Sequence, residues 1–323
     1  MSQKKSFALV FPGQGSQSVG MLKALAAAHP LVLQTFKEAS EVLGFDLWVL
    51  VQNGPEKELN RTAVTQPALL AADIACYRVW RAQGGPAPDY AAGHSLGEYA
   101  ALVAAGSLDF AEAVALVAER GRAMQEAVPE GAGAMAALLG LPDADIRALC
   151  EECAEGEVLA AANYNAPGQV VIAGAFAAVQ RALPVAKQKG AKRAIPLAVS
   201  VPSHCELMRP AALRLASYLA PIAVRPPLFP VLHNWNVETS RQPDGIRDAL
   251  INQLFSPVRW VETVTRLGAL GAQYVLECGP GKVLTGLNKR ITDGVLCLAL
   301  GEPTDLNAAL AELQSPPTHE DRA

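Results

Sequence analysis

The stretch Pro88-Asp-Tyr-Ala-Ala-Gly-His-Ser-Leu-Gly-Glu-Tyr-Ala-Ala-Leu-Val103 joins a short apolar run, a glycine-flanked serine and an Ala-rich segment. This order predicts a strand, a sharp turn and a helix, with Ser95 in a Gly-x-Ser-x-Gly nucleophile elbow. Gly93 and Gly97 would permit a tight turn and a close backbone approach. The start of the following helix would direct backbone N–H groups at an oxyanion formed on an acyl group. A chance pentapeptide in a loop is the alternative, and the flanking elements disfavour it.

The composition fits a globular enzyme with a well-filled core. The chain has 323 residues, of which 51% are hydrophobic and 18% are charged, and its formal net charge is −4. No basic patch stands out, so nucleic acid is not an expected partner. No apolar run reaches about eighteen residues, so we expect no membrane span and no membrane partner. The six cysteines indicate a cytoplasmic protein with reduced thiols, and Cys150 and Cys153 lack the second pair that a zinc site requires, so no metal is predicted.

A large domain is predicted from buried strands that end in glycine-containing loops. The run from Ser6 to Phe11 precedes Gly13-Gln-Gly-Ser-Gln17, and the run from Tyr274 to Cys278 precedes Gly279-Pro-Gly-Lys282. Neither loop matches a nucleotide-binding fingerprint. Loops at the carboxyl edge of a parallel sheet form the ligand side of α/β proteins. We therefore predict an α/β fold whose large catalytic domain is α/β-hydrolase-like, has a parallel sheet, and comprises residues 1–128 and 199–323.

The segment between these two parts has a different pattern. Residues 129–198 alternate short apolar strands and helices in the order βαββαβ. This order predicts a small ferredoxin-like domain inserted into the large one. Asn163 and Asn165 lie in or beside its central turn and could reach a cleft, while the alternative for Asn165 is a role in the turn alone.

Arg120 falls on the apolar face of a predicted helix. Asp109 and Glu112 have capping-box spacing at the start of that helix. Apolar residues share the face of Arg120 at helical spacing: Ala113, Val117 and Met124. An arginine on an inward face needs an anion. A structural pair with a carboxylate and a bidentate clamp for a substrate carboxylate both satisfy this need, and periodicity does not choose between them.

His204 is the best candidate for a base that activates Ser95. Ser203 and Glu206 have capping-box spacing, which would place His204 in the first turn of a helix and hold it neutral. A neutral imidazole is what a general base requires. The other histidines have contexts that suit a base less well: His29, His94, His233 and His319. A capped histidine without a catalytic role is the alternative.

A Ser–His pair usually has a third group that orients the ring. Downstream acids without a recognisable acid-loop context are Asp244, Asp248 and Glu262. A backbone carbonyl or an amide could replace the acid, and Gln253 is a candidate.

Seven short motifs occur in the order typical of the acyltransferase family. They are Phe11-Pro-Gly-Gln-Gly-Ser-Gln17, Thr65-Gln-Pro67, Gly93-His-Ser-Leu-Gly97, Glu119-Arg-Gly121, Asn163-Tyr-Asn165, Val201-Pro-Ser-His204 and Glu277-Cys-Gly-Pro-Gly281. The chain resembles this family from about Phe7 to Pro303, and within the family it resembles the members that serve bacterial fatty-acid synthesis.

The resemblance implies roles for individual residues. Ser95 would be the acylated nucleophile, and His204 would be its base, oriented by the backbone carbonyl of Gln253. The backbone amides of Gln14 and Leu96 would form the oxyanion hole. The residues implied to bind the substrate are Arg120, which would hold the free carboxylate of a malonyl group, His94, Gln66 and Asn165.

The resemblance also implies a ping-pong transfer from malonyl-CoA to the phosphopantetheine thiol of acyl carrier protein. No cofactor is needed beyond the coenzyme A thioester, which is a substrate, and we expect a monomer. A basic cluster could suit an acidic carrier protein or could be a solvated face: Lys187, Lys189, Lys192 and Arg193. The alternatives are a serine esterase or thioesterase, a non-catalytic scaffold subunit, and a relative that serves malonate decarboxylation or polyketide synthesis.

Overall fold

A computed structural model describes residues 5–198 and 201–315 and contains two β-sheets flanked by helices. The strands are β1 (Phe7–Phe11), β2 (Tyr90–Gly93), β3 (Gly133–Leu139), β4 (Leu159–Ala166), β5 (Gln169–Ala175), β6 (Arg193–Pro196), β7 (Val231–Leu232), β8 (Tyr274–Glu277) and β9 (Leu296–Ala299). The larger sheet is parallel, with strand order β7-β2-β1-β8-β9. The smaller sheet is antiparallel, with strand order β4-β5-β3-β6. The protein is therefore a mixed α/β protein, as predicted.

Helices account for most of the remaining described residues. They are α1 (Lys23–Ala28), α2 (Leu31–Leu43), α3 (Leu47–Asn53), α4 (Glu56–Leu59), α5 (Thr62–Ala82), α6 (Gly97–Ala104), α7 (Phe110–Glu126), α8 (Asp143–Ala154), α9 (Phe176–Gln188), α10 (Arg209–Leu219), α11 (Pro243–Gln253), α12 (Trp260–Ala269), α13 (Val283–Asn288) and α14 (Pro303–Gln314), with a 3-10 turn at Glu206–Met208. None of the helices in these two ranges combines the length and the apolar content needed to cross a bilayer.

The parallel sheet forms the centre of the larger core. All five residues of β1 are buried, as expected for a central strand covered on both faces. Strands β1 and β2 pair in register from Ala8 with Tyr90 to Phe11 with Gly93. The ends of these two strands therefore meet at one edge of the sheet, and the loops that follow them carry Gln14 and Ser95.

The smaller sheet has its own apolar core. Its elements follow the order β3-α8-β4-β5-α9-β6, which is the order that the sequence predicted. Buried residues such as Leu138, Ile146 and Ile172 pack between the sheet and its two helices. Val199, the predicted first residue of the second part of the large domain, lies outside the described residues.

Strand β4 is hydrogen-bonded to the segment before α12. The N–H of Val258 donates to the carbonyl of Ala162, and the N–H of Tyr164 donates to the carbonyl of Val258, both at 2.9 Å. These bonds form a parallel bridge between Asn163 and Val258. The segment that carries Asn163 and Asn165 is thereby attached to the part of the chain that leads into α12.

One strand is shorter than the sequence pattern indicates. The apolar pattern of the sequence predicts a strand over Leu228–Asn234, but β7 contains only Val231 and Leu232. The chain turns after β7, where the N–H of His233 donates to the carbonyl of Glu238. This early end leaves the side chain of Asn234 available at the carboxyl edge of the sheet.

Candidate active site

Ser95 lies in a sharp turn between β2 and α6. Its φ angle is +52°, a left-handed conformation that a residue with a side chain rarely adopts. A Cβ atom at Gly93 would overlap the backbone of Gly97, and a Cβ atom at Gly97 would overlap the carbonyl of Phe11. The elbow geometry predicted from the sequence therefore depends on both glycines.

Asn234, two residues after the neighbouring strand β7, holds this turn. Its Oδ1 accepts a hydrogen bond from the N–H of Ser95 at 2.7 Å, and its Nδ2 donates to the carbonyl of Gly93 at 2.6 Å. Both groups lie in the turn itself. A strained backbone persists only where surrounding contacts hold it in place. The two hydrogen bonds of Asn234 are part of those contacts.

Ser95, His204 and Gln253 form a hydrogen-bonded chain. The Oγ of Ser95 lies 2.8 Å from Nε2 of His204, and Nδ1 of His204 lies 2.9 Å from the backbone carbonyl of Gln253. A carbonyl oxygen only accepts, so Nδ1 carries the ring proton and Nε2 accepts from the serine hydroxyl. Burial, followed by the nearby positive charge of Arg120, lowers the pKa of His204 to about 3. The imidazole is therefore neutral, in the tautomer that a base for Ser95 requires.

The predicted helix cap at His204 is wrong. His204 has a φ angle of +63° and precedes the 3-10 turn at Glu206–Met208, and no side chain caps that turn. Its N–H donates to the carbonyl of Leu254, so the backbone at this position is held by a distant segment and not by a following helix. Burial and charge, not a helix end, keep the ring neutral.

Arg120 is buried in α7. The predicted start of this helix is confirmed, because the side chain of Asp109 accepts hydrogen bonds from the N–H groups of Ala111 and Glu112. Nη1 of Arg120 donates to Oε1 of Gln66 at 2.8 Å. Its Nη2 donates to Oγ of Ser95 at 3.2 Å and to Oε1 of Gln253 at 2.9 Å. All these acceptors are neutral, and Nε has no hydrogen-bond partner in the described part of the chain. The guanidinium therefore lacks the directly bonded carboxylate that a purely structural pair would supply.

A cavity of about 180 Å³ opens above Ser95. Eight of the nine residues that the sequence assigned to the site line it: Gln14, Gln66, His94, Ser95, Leu96, Arg120, Asn165 and His204. Gln253 is buried behind them. Met135, Val171 and Leu197 contribute an apolar wall from the smaller sheet and the residue after it. The cavity therefore lies between the two sheets.

His94 and the backbone amides near Ser95 complete the polar lining. Nε2 of His94 lies 2.8 Å from Oδ1 of Asn165, and burial lowers the pKa of His94. A neutral ring that donates from Nε2 satisfies this contact. The backbone N–H groups of Gln14 and Leu96 donate no hydrogen bond to any residue that the structure describes. Both residues line the cavity, so these groups are available to an oxyanion.

Sequence reasoning missed two buried residues next to the site, Asn234 and Glu98. Glu98 accepts hydrogen bonds from Nδ1 of His233, from the N–H of Asn234 and from Nε2 of Gln253. A signal for Glu98 was present, because it is the one charged residue in the apolar sequence of α6. His233, whose sequence context suited a base less well, is buried with Nδ1 on Glu98 and is not among the residues that line the cavity.

The comparisons with known proteins agree with the motif order. The family profile described as "Acyl transferase domain" matches residues 8–294. The malonyl CoA-acyl carrier protein transacylase of Escherichia coli K12 is 59% identical over 304 residues, which are 94% of this chain and 98% of that protein. The solved structure of the malonyl CoA-acyl carrier protein transacylase (FabD) from Coxiella burnetii has a TM-score of 0.96 and 51% identity, covering 98% of this chain and 100% of that one.

A third relative was solved together with a partner. It is a malonyl-transacylase in complex with its type II PKS acyl-carrier protein, with a TM-score of 0.94 and 55% identity, covering 95% of this chain and 100% of that one.

Proposed function

The chain belongs to the acyl transferase family and is an acyltransferase, and from this premise we propose that it transfers a malonyl group from malonyl-CoA to the phosphopantetheine thiol of acyl carrier protein in fatty-acid synthesis. The observation that carries the proposal is the position of Arg120. Its buried guanidinium donates to neutral oxygens alone among the described residues, and it lies beside the nucleophilic Oγ of Ser95. A carboxylate at the far end of an acyl group would supply the charge that these oxygens lack.

The first half-reaction uses Ser95 and His204. Nε2 of His204 takes the hydroxyl proton while Oγ attacks the thioester carbonyl of malonyl-CoA. The N–H groups of Gln14 and Leu96 donate to the oxyanion of the tetrahedral intermediate. When the C–S bond breaks, the imidazolium returns its proton to the coenzyme A thiolate. Malonyl-Ser95 and free coenzyme A remain.

The second half-reaction reverses these roles with a new thiol. His204 takes the proton of the phosphopantetheine thiol, and the sulfur attacks the malonyl ester. The oxyanion again forms at the amides of Gln14 and Leu96. Ser95 leaves with the proton from the imidazolium, which regenerates the enzyme and leaves malonyl-carrier protein. The backbone carbonyl of Gln253 holds the ring through both steps.

Substrate binding would involve further cavity residues. Gln66 accepts from Arg120 and thereby helps to aim it. His94 and Asn165 form a neutral hydrogen-bonded pair on the side of the cavity that faces the smaller sheet, where a thioester or amide of the substrate could bind. Hydrolysis competes with transfer unless water is kept from the ester.

The same proposal includes the domain arrangement. Residues 1–128 and 199–323 would form an α/β-hydrolase-like catalytic domain, and residues 129–198 a ferredoxin-like domain that covers the cleft. The parallel order β7-β2-β1-β8-β9 and the antiparallel order β4-β5-β3-β6 support this division. The enzyme would act as a cytoplasmic monomer, without a cofactor and without nucleic-acid or membrane partners.

The carrier protein would meet the enzyme near β6. Lys192 and Arg193 are exposed at the start of this strand, whereas Lys189 is paired with Glu152 at 2.9 Å. Leu197, just after β6, lines the cavity. A positive surface on the strand that leads to this cavity residue suits an acidic carrier.

Mass spectrometry of the intact protein after mixing with malonyl-CoA tests the proposal. We expect one malonyl adduct, which peptide mapping places on Ser95 and which the variant Ser95→Ala lacks. Adding carrier protein should move the malonyl group to its phosphopantetheine thiol. Absence of an adduct on Ser95 would refute the mechanism and favour a scaffold role, and release of free malonate without transfer would favour a thioesterase.

A further inference from the structure

Glu98 is a fully buried carboxylate one turn after the elbow, in α6. We propose that it is a positioning residue for malonyl transfer, because it fixes the side-chain amide of Gln253 and, through that amide, the guanidinium of Arg120. The inference rests on the proposed function, in which Arg120 binds the malonyl carboxylate. Glu98 itself does not line the cavity.

Glu98 contacts the side-chain amide of Gln253. Oε2 of Glu98 lies 2.7 Å from Nε2 of Gln253 and also accepts from the N–H of Asn234 at 3.0 Å. Its Oε1 lies 2.8 Å from Nδ1 of His233. An ionised carboxylate only accepts hydrogen bonds. The amide of Gln253 must therefore present its nitrogen, and not its oxygen, to Glu98.

The oxygen of the same amide contacts Arg120. With its nitrogen on Glu98 and on the carbonyl of Ser95, Gln253 presents Oε1 to Nη2 of Arg120 at 2.9 Å. A flipped amide would direct N–H groups at the guanidinium, which only donates. Glu98 and the carbonyl of Ser95 together therefore determine that Arg120 finds an acceptor at this point, and Glu98 is the charged one of the two.

A second chain of hydrogen bonds connects Glu98 to the backbone of Ser95 through Asn234. The N–H of Asn234 donates to Glu98, and Oδ1 of Asn234 accepts from the N–H of Ser95. One carboxylate thus supports both the backbone of Ser95 and the orientation of Arg120. It also supplies the negative charge of this buried region, which reaches the guanidinium through one neutral amide and not through a direct ion pair. A direct ion pair would compete with the substrate for Arg120, whereas the amide leaves it positively charged and correctly aimed.

The variant Glu98→Gln removes the charge and keeps the shape. His233 can accommodate the new amide, because a neutral ring can place its proton on either nitrogen. The oxygen of the new amide can still accept from Gln253, but without the charge this hydrogen bond is weaker, so the Gln253 amide and the guanidinium of Arg120 are held less firmly. We expect the ratio of kcat/KM for malonyl-CoA to that for acetyl-CoA to fall about tenfold, since hydrogen bonds to charged groups have that order of effect. The change should appear mainly in the KM for malonyl-CoA.

Three variants separate positioning from general damage. The exposed Glu151→Gln on α8 is the matched control and should leave the ratio unchanged. In the background Arg120→Ala, Glu98→Gln should change the ratio no further, because the two residues act through one interaction. Gln253→Met removes the side-chain contact between Glu98 and Arg120 and keeps the backbone carbonyl on His204, so it should lower the ratio.

The outcomes distinguish this inference from the proposed function. If the wild-type enzyme forms no malonyl-Ser95, the proposed function fails. If it does, a wild-type ratio in folded Glu98→Gln overturns the role of Glu98. Should Glu98→Gln not fold, an unchanged ratio in Gln253→Met overturns it equally.

Discussion

Nη2 of Arg120 lies 3.2 Å from the Oγ of Ser95, and that oxygen also lies 2.8 Å from Nε2 of His204. The hydroxyl therefore accepts from a fixed positive charge while it donates to a neutral base. The charge that would recognise the acyl group and the base that would activate the nucleophile share one oxygen atom. Selectivity and pH dependence should for this reason be linked.

Replacing Arg120 with alanine should weaken malonyl transfer and relatively favour acetyl transfer. The loss of charge-assisted hydrogen bonds is expected to lower the malonyl-to-acetyl ratio of kcat/KM about tenfold to a hundredfold. Steady-state rates with both thioesters measure this ratio. Arg122→Ala is the control, because Arg122 lies on the same helix, is exposed and pairs with Glu119. An unchanged ratio in Arg120→Ala would remove Arg120 from substrate recognition.

The acid limb of the transfer rate should lie far below the usual histidine range. A depressed pKa of about 3 keeps His204 neutral, and so competent as a base, when the pH falls through 6.5. The rate of malonyl-Ser95 formation can be measured by rapid quenching at a series of pH values. We expect kcat/KM to fall little between about pH 8 and about pH 4. In Arg120→Ala the acid limb should move to higher pH, because the positive charge that helps to lower the pKa of His204 is removed. A wild-type limb near 6.5 would contradict the buried, neutral base.

Gly97→Ala should prevent formation of the elbow. The added Cβ would overlap the carbonyl oxygen of Phe11, and the atoms that it meets are backbone atoms of Phe11 and Pro12, which have little room to adjust. We expect a loss of at least ~3 kcal/mol in the free energy of unfolding. Gly286→Ala in α13 is the matched control, since its Cβ meets nothing within 4 Å, and it should be neutral or stabilising by up to about 1 kcal/mol. Urea denaturation of both variants measures the difference, and equal stabilities would argue against the steric role.

Asp73→Asn should change how stability depends on pH. Asp73 in α5 is fully buried, neither of its carboxyl oxygens has a hydrogen-bond partner in the described part of the chain, and burial, with the nearby charge of Glu277, raises its pKa well above 3.8. Above pH 3.8 the unfolded chain ionises this group while the folded protein keeps the proton. Stability from this group therefore falls as pH rises, by about 1.4 kcal/mol per pH unit, until the folded pKa is reached.

Asparagine cannot ionise, so the free energy of unfolding of Asp73→Asn relative to wild type should increase with pH over this window. Chemical denaturation at several pH values gives the two curves. The exposed Asp248→Asn is the control, and its difference from wild type should stay level. Parallel curves for Asp73→Asn and wild type would show that Asp73 is ionised in the folded protein.

Local steric demands made the elbow predictable. Gly93, Ser95 and Gly97 lie within five residues, so one short pattern contains the whole turn. The inward face of Arg120 was predictable for a similar reason, because helical periodicity is a local property. Neither pattern could say what Arg120 contacts.

Contacts between distant segments could not be predicted in this way. Glu98 and Asn234 meet because β7 pairs with β2 in the parallel sheet, and the sequence pattern contains no information on that pairing. The error at His204 has the same origin. Its spacing to Ser203 and Glu206 predicted a local cap, while its backbone is held by Leu254.

The bridge between Asn163 and Val258 bears on how two different thiols could use one cavity. Val258 leads into α12, and the two hydrogen bonds attach β4 to it on both sides of Asn163. In the proposed reaction, coenzyme A departs and the carrier's thiol arrives through the same opening. Because β4 is attached in this way, the opening would have the same shape for coenzyme A and for the carrier's thiol. The same cavity residues would then bind the phosphopantetheine arm that donor and acceptor share. Residues outside the cavity would distinguish coenzyme A from the carrier protein.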